Sequence, residues 1–210
     1  MTATADDLRA RHAEALAGFT GHRFFRAAAD GSLSSAARDR YFVNERLFVG
    51  AARAIFAHLL IKAPTLAAAR HLVGILDGLV NAQEGLFDDI FDRLDLVLPE
   101  DGLPAPDMLG TGVIAIARDA PYAAGIAAML SAEWSYLTVA RSLDWDACPD
   151  PAMADWFRLH AEDDFAGNVT WLEAELERVW SPDVAEAVDA AFARTVALEI
   201  AFHDDPLDAA

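Results

Sequence analysis

From Ser34 onward, Ala37, Tyr41, Phe42, Phe48, Ala51, Ala52, Ile55 and Leu59 recur at three- and four-residue intervals until Pro64, and this spacing predicts one helix over 34–62. Asp30-Gly31 before it is a turn, closing a shorter helix that contains His22, Phe24 and Phe25. Thr65 caps a second long helix in which Leu72, Ile75, Leu76, Leu79, Leu86, Ile90 and Leu94 share one face, with Asp88, Asp89 and Asp92 on the other; it is expected to end by Leu96. The Pro- and Gly-rich run 98–106 reads as a surface loop, because helical patterning resumes at once. Helices over 107–118 and 121–143 follow, and the second is so apolar up to Leu130 that burial on most sides is expected. Asp150-Pro151 offers an N-cap and a first-turn proline for a helix through Trp156 and His160. Another carries Phe165, Val169, Leu172, Leu176 and Val179, and Ser181-Pro182 opens a last one that Pro206 is expected to stop. No segment alternates as a strand would and no internal repeat occurs, so the fold class expected is all-α, in one domain spanning 1–210.

Composition supports this and removes some functions. At 210 residues with 54% hydrophobic side chains, the chain can wrap a sizeable core without disulfides. Its 34 acidic against 16 basic residues leave a formal charge of −18, which repels a phosphate backbone or an anionic membrane surface; neither nucleic acid nor membrane is an expected partner. The first residues show no basic-then-apolar leader and no bilayer-spanning run, and a cytoplasmic location is expected. Cys148, alone and between prolines and aspartates, reads as an incidental loop thiol.

The informative residues are polar groups on apolar faces, where desolvating an unpartnered charge costs several kcal/mol, on the order of the effective penalty per buried ion. Glu45 shares a helix face with Phe48. Glu84 lies one turn before Phe87, Glu133 one turn before Tyr136, and Glu199 one turn before both Phe202 and His203; His160 follows Trp156 and Phe157 by a turn. Each has a plainer reading. Glu45 could pair with Arg46 or Arg53 at the surface, Glu84 and Asp88 could form a solvated acidic edge, Glu133 could point outward, and His160 and His203 could be structural. Glu199, crowded by Leu198, Ile200, Ala201 and Phe202, has least room for one.

Five stretches, in order and nearly spanning the chain, carry a family resemblance. They are His22-Arg23-Phe24-Phe25 through Asp30-Gly31-Ser32-Leu33 to Tyr41-Phe42-Val43-Asn44-Glu45, then Asn81-Ala82-Gln83-Glu84 with Phe87, Met129-Leu130-Ser131-Ala132-Glu133-Trp134-Ser135-Tyr136, Asp155-Trp156 through His160, and Glu199-Ile200-Ala201-Phe202-His203. Together they resemble the TenA (thiaminase II) and PqqC-like family. The resemblance implies a haem-oxygenase-like helical bundle around one internal pocket for a small molecule, hydrolysis of aminopyrimidines or thiamin in thiamin salvage, and assembly as a dimer or tetramer. By position it makes Glu199 the acid/base carboxylate, puts Glu45 where an aspartate holds the pyrimidine, and lines the pocket with Phe48, Glu133, Tyr136, Phe202 and His203. Departures are as telling: the nucleophilic cysteine is Ala132, two pocket tyrosines are Leu109 and His160, and a motif histidine is Phe87.

Three functions compete on this sequence. The first is a TenA-like hydrolase that needs no cofactor, with Glu199 and Glu45, joined by Glu133, in place of the thiolate. The second is a pocket that binds a small apolar or aromatic ligand without turnover. The third is a non-haem diiron oxidase with Glu45, Glu84, His160, Glu199 and His203 as iron ligands, against which stands Phe87 in the expected Glu-x-x-His.

Overall fold

The computed structural model describes residues 5–99 and 108–208, and these are helical with short connections. In chain order the helices are α1 (Ala5–Arg11), α2 (Ala13–Thr20), α3 (Arg23–Asp30), α4 (Ser35–Lys62), α5 (Leu66–Gly78), α6 (Glu84–Leu94), α7 (Met108–Asp119), α8 (Tyr122–Ser142), α9 (Pro151–Ala161), α10 (Asp163–Val179) and α11 (Ala185–Asp208). A π-helical segment, Leu79–Gln83, joins α5 to α6, and a 3₁₀ turn, Pro182–Val184, leads into α11. No described helix is long and apolar enough to cross a membrane.

The expected caps are where local chemistry puts them. Ser34 Oγ accepts the Ala37 amide at 3.1 Å, Thr65 Oγ1 the Ala68 amide at 3.1 Å, and Asp150 Oδ1 the Ala152 and Met153 amides at 2.9 and 3.2 Å. Gly31 ends α3 at φ 76°, a conformation that costs glycine nothing. His22 stands just outside α3 as its N-cap, taking the Phe24 amide on Nδ1.

Three readings of the sequence need correction. The hydrophobic pattern marks no element before His22, yet α1 and α2 bury Ala5, Leu8, Leu16 and Phe19 against the bundle. The second long helix is not continuous, because the π segment interrupts it, although it ends at Leu94, before the expected limit of Leu96. Pro206 does not stop α11, which runs to Asp208 with that proline inside and buried. A proline so near the end forfeits one backbone bond. The turn around it is tied down by Arg40, whose Nε and Nη2 donate to Asp205 at 2.6 and 2.7 Å, by Asn44 at 2.8 Å and by the His22–Asp204 contact at 3.1 Å. The loop expected over 98–106 falls mostly on 100–106, outside the described residues.

Helix α8 is the axis of the bundle. Every residue from Ala123 to Ala132 is buried, and the helix packs chiefly on α11 and α10. Small residues permit this closeness: a β-carbon on Gly125 would lie 2.5 Å from Leu59 Cδ2, and one on Gly112 would lie 2.6 Å from Leu198 Cδ1. Lys62, the last residue of α4, closes the end of α7 by donating to the carbonyls of Ala117, Arg118 and Ala120, each at 2.7 Å. With α4, α7, α8 and α11 held together in this way, the inner faces of the described residues enclose a cavity.

Candidate functional site

That space is a cleft of about 540 Å³ counting its mouth and the solvent in it. Glu45, Phe48, Val49, Ala52 and Phe56 of α4 form one wall, and Met129, Ala132, Glu133 and Tyr136 of α8 face them. Leu109 of α7, Trp156 and His160 of α9, Phe165 of α10 and Glu199 of α11 close the sides, while Leu79 and Gln83 enter from the π segment. Thus Glu45, Phe48, Leu109, Ala132, Glu133, Tyr136, His160 and Glu199 line one cavity. Phe202 and His203 do not line the cavity. Phe202 packs on Phe48 and Tyr41, with centroids 6.1 and 6.3 Å apart, and His203 sits directly behind Tyr136.

Three carboxyl groups share this apolar enclosure, and no lysine or arginine is among the described residues that line it. Glu45 is 3% and Glu199 2% exposed, while Glu133 reaches solvent only in part. Burial raises Glu45 to about 7, moderated by the hydroxyls of Tyr136 and Tyr41, and raises Glu133 to about 7. Glu199 is held well above the ordinary range by burial and then by the charges of Glu45 and Glu133. At neutral pH Glu45 and Glu133 therefore stand near half-protonation, and Glu199 is pushed the same way, toward its protonated form. Glu199 Oε2 has no hydrogen-bond partner, although buried. Such an atom is what an N–H-bearing ligand would satisfy.

Glu45 is built into a hydrogen-bond chain. Trp156 Nε1–H donates to the Tyr41 hydroxyl at 2.8 Å, the Tyr41 and Tyr136 hydroxyls lie 2.5 Å apart, and Tyr136 donates to Glu45 Oε1. Tyr136 has a second acceptor, His203 Nε2 at 3.3 Å. His203 Nδ1 lies 2.8 Å from the Glu199 carbonyl, which can only accept, so Nδ1 carries the hydrogen and Nε2 a lone pair. Burial lowers His203 to about 3, which keeps it neutral. When Glu45 takes up a proton, the Tyr136 hydroxyl can turn to His203 and remain bonded. His160 is likewise lowered by burial, to about 4, and with Nδ1 on the Trp156 carbonyl at 2.8 Å it presents an accepting Nε2 to the cavity.

Glu84 lies elsewhere. The π segment carries one extra residue in its turn, which swings Leu79 and Gln83 inward and leaves Glu84 on the outer side. There Arg46 and Arg53 donate to it at 3.1 and 2.9 Å, and Arg46 also meets Asp88 at 2.8 Å. The surface arginine pairs considered for Glu45 thus belong to Glu84, and the solvated acidic edge is real. The ligand set Glu45, Glu84, His160, Glu199 and His203 is not brought together. Glu84 is outside and both nitrogens of His203 are committed, so these residues do not fit a two-iron centre; among the described residues no three His, Cys, Asp or Glu are grouped to hold a metal ion.

Sequence reasoning missed Gln83, Trp156 and Tyr41. Tyr41 was within reach, since it precedes Glu45 by one turn on the same face. Cys148 stays in its loop, half-buried, with Sγ 3.3 Å from the Ala28 carbonyl, remote from the cavity lining.

The sequence profile of the TENA/THI-4/PQQC family matches residues 9–208. The chain belongs to that family. No curated protein is matched. Among solved structures, a TenA homologue from P. horikoshii OT3 is 16% identical with a TM-score of 0.86, covering 98% of each chain. A TenA homologue from Pyrococcus furiosus is 17% identical with a TM-score of 0.82, covering 96% of this chain and 98% of that one. A putative TenA-like thiaminase from Sulfolobus solfataricus P2 is 17% identical with a TM-score of 0.78, covering 99% and 97%. The all-α, haem-oxygenase-like fold is thereby shared by this TENA/THI-4/PQQC chain along nearly its whole length.

Proposed function

We propose that the chain is a hydrolase of an amino-substituted heterocycle, of the aminopyrimidine or related thiamin-salvage kind, that works through carboxylates where a thiolate nucleophile is absent. The observation that carries this reading is the convergence of Glu45, Glu133 and Glu199 around Ala132, with Glu199 Oε2 unpartnered and no lysine or arginine among the described lining residues. Such a wall favours a ligand rich in N–H donors or bearing positive charge. The family membership and the thiaminase name given to the Sulfolobus relative agree with it.

In this reading Glu45, held by Tyr136, accepts from the ring amine and fixes the heterocycle. Glu133 takes a proton from water as the water oxygen bonds to the carbon bearing the amine, and Glu199 gives its proton to the leaving nitrogen. The C–N bond breaks, ammonia departs, and the balance is one water consumed for one ammonia released. The shifts suit both tasks, since Glu133 at about 7 is partly a base near neutrality while burial and the neighbouring carboxylates push Glu199 toward its protonated form. Ala132 offers only a methyl group, and among the described lining residues no serine, threonine or cysteine replaces it.

The test is ammonia release from an aminopyrimidine by the wild type and by Glu199→Gln, which keeps the shape and removes the acid. Turnover that falls at least about a hundredfold in the variant, the usual lower bound for a general acid or base, supports the assignment; full turnover in the variant sinks it. Ala132 favours one other reading, a pocket that binds without turnover. Thermal stabilisation of the wild type by aminopyrimidine with no ammonia released would establish that reading instead.

A further inference from the structure

The cavity is rich in groups that accept hydrogen bonds and poor in groups that donate them. Its three carboxyl groups, on Glu45, Glu133 and Glu199, accept, and donate only while protonated. Tyr136 gives its hydroxyl hydrogen to Glu45 or turns it to His203. The Trp156 indole N–H is spent on the Tyr41 hydroxyl at 2.8 Å, and His160 offers the cavity only the lone pair of Nε2. Among the described lining residues, the side chain left with N–H groups to give in every protonation state is Gln83.

Gln83 owes its place to the π segment. Leu79 and Gln83, its first and last residues, both face the cavity, whereas Glu84 beside Gln83 is held outside by Arg46 and Arg53. Asn81, the other carboxamide of the segment, is exposed and donates to Asp77 at 2.9 Å. The Gln83 carboxamide is half-buried and, among the described residues, makes no hydrogen bond. Single π turns within α-helices recur at functional sites. An amino-substituted heterocycle carries ring nitrogens as well as its amine, and each is a lone pair that carboxylates repel and that loses its water on entering. It needs a donor there.

We propose that Gln83 is a specificity-determining residue of the cavity, donating from Nε2 to a ring nitrogen of the ligand and so selecting a nitrogen-containing ring over a carbocycle of the same shape. The carboxyl groups receive the N–H hydrogens of the ligand, and Gln83 meets its lone pair. Glutamine suits this task because its donor does not titrate. Gln83 has this role only if the ligand is an amino-substituted heterocycle, as proposed for this cavity, and has it whether or not that ligand is hydrolysed.

Calorimetric titration of the full chain with 4-aminopyrimidine and with aniline, which bears the same amine on a ring without nitrogen, tests it. At about pH 8 both amines are uncharged and Glu45 and Glu133 are mostly ionised, so those two carboxyl groups do not supply the donor. The wild type is expected to bind the pyrimidine more tightly. Q83M and Q83L, which keep bulk but no donor, should shift the affinity ratio toward aniline by about tenfold, as loss of a buried hydrogen-bond partner does. Comparing ratios rather than affinities isolates that one contact. N81L, on the outer side of the same segment, should leave the ratio where it is, and circular dichroism verifies each fold. A wild type that binds neither ring or does not prefer the pyrimidine, a ratio that Q83M and Q83L leave unchanged, or an equal shift in N81L overturns the proposal. Ammonia release is read separately: the ratio shift without ammonia sinks the hydrolase and leaves Gln83 its role, while ammonia without the shift does the reverse.

Discussion

Replacing Glu45 by glutamine removes a buried acid while keeping its shape and its oxygen for the Tyr136 hydroxyl. In the folded protein Glu45 releases its proton at about 7 instead of 4.5, chiefly because burial disfavours the charge. The folded state therefore binds more protons than the unfolded chain between these values, and the contribution of Glu45 to stability falls as pH rises through that window. It is fully present below 4.5 and lost above about 7. At 1.36 kcal/mol per unit the loss is about 3 kcal/mol, a sizeable part of the roughly 5–15 kcal/mol by which domains are usually stable. Glu199, raised in part by the charge of Glu45, adds to the effect in the same direction. Urea unfolding followed by helical circular dichroism, at a series of pH values from about 4 to 8, gives the stability difference between wild type and Glu45→Gln. That difference should move by about 3 kcal/mol in favour of the variant across the series, leaving the variant the flatter of the two. Curves that run parallel, or a wild type that gains on the variant as pH rises, would refute the argument that this carboxylate is desolvated without a cation.

Two further changes probe the cavity and the packing. In a Cys148→Ser background, Ala132→Cys should place a thiol beside three carboxyl groups, so its alkylation by a small reagent should be slow at neutral pH and rise above the range of an ordinary thiol, about 8.5; rapid labelling at pH 7 would contradict the acidic wall. Gly112→Ala should lower stability by about 1–3 kcal/mol, because its β-carbon would meet Leu198 Cδ1 at 2.6 Å, whereas Gly167→Ala, with open space, should raise it by about 0.5–1 kcal/mol; melting temperatures that move alike for both would count against the close approach of α7 and α11.

The caps and periods were legible because they are local. Ser34, Thr65 and Asp150 act on amides two or three residues away, and the unbroken apolar run of α8 can only be a helix buried all round. Glu45 and Glu199 stood out for the same reason, as carboxylates among close apolar neighbours. The partners of these groups were not legible. Tyr41 and Tyr136 are 95 positions apart and Tyr41 and Trp156 are 115, so their hydrogen bonds exist only once α4, α8 and α9 are packed.

Arg46 and Arg53 show the boundary most clearly. From sequence they are as available to Glu45 on their own helix as to any other acid, and the choice of Glu84 is made across the α4–α6 contact. That choice depends on the π segment, whose residues are ordinary helix formers carrying no signal of an extra residue in the turn. Sequence alone determined that this is an all-α chain with acids placed on apolar faces, since propensity and periodicity act over a few residues. Tertiary structure decided which acids face one another without a cation, since desolvation and hydrogen-bond partners depend on helices distant in the chain.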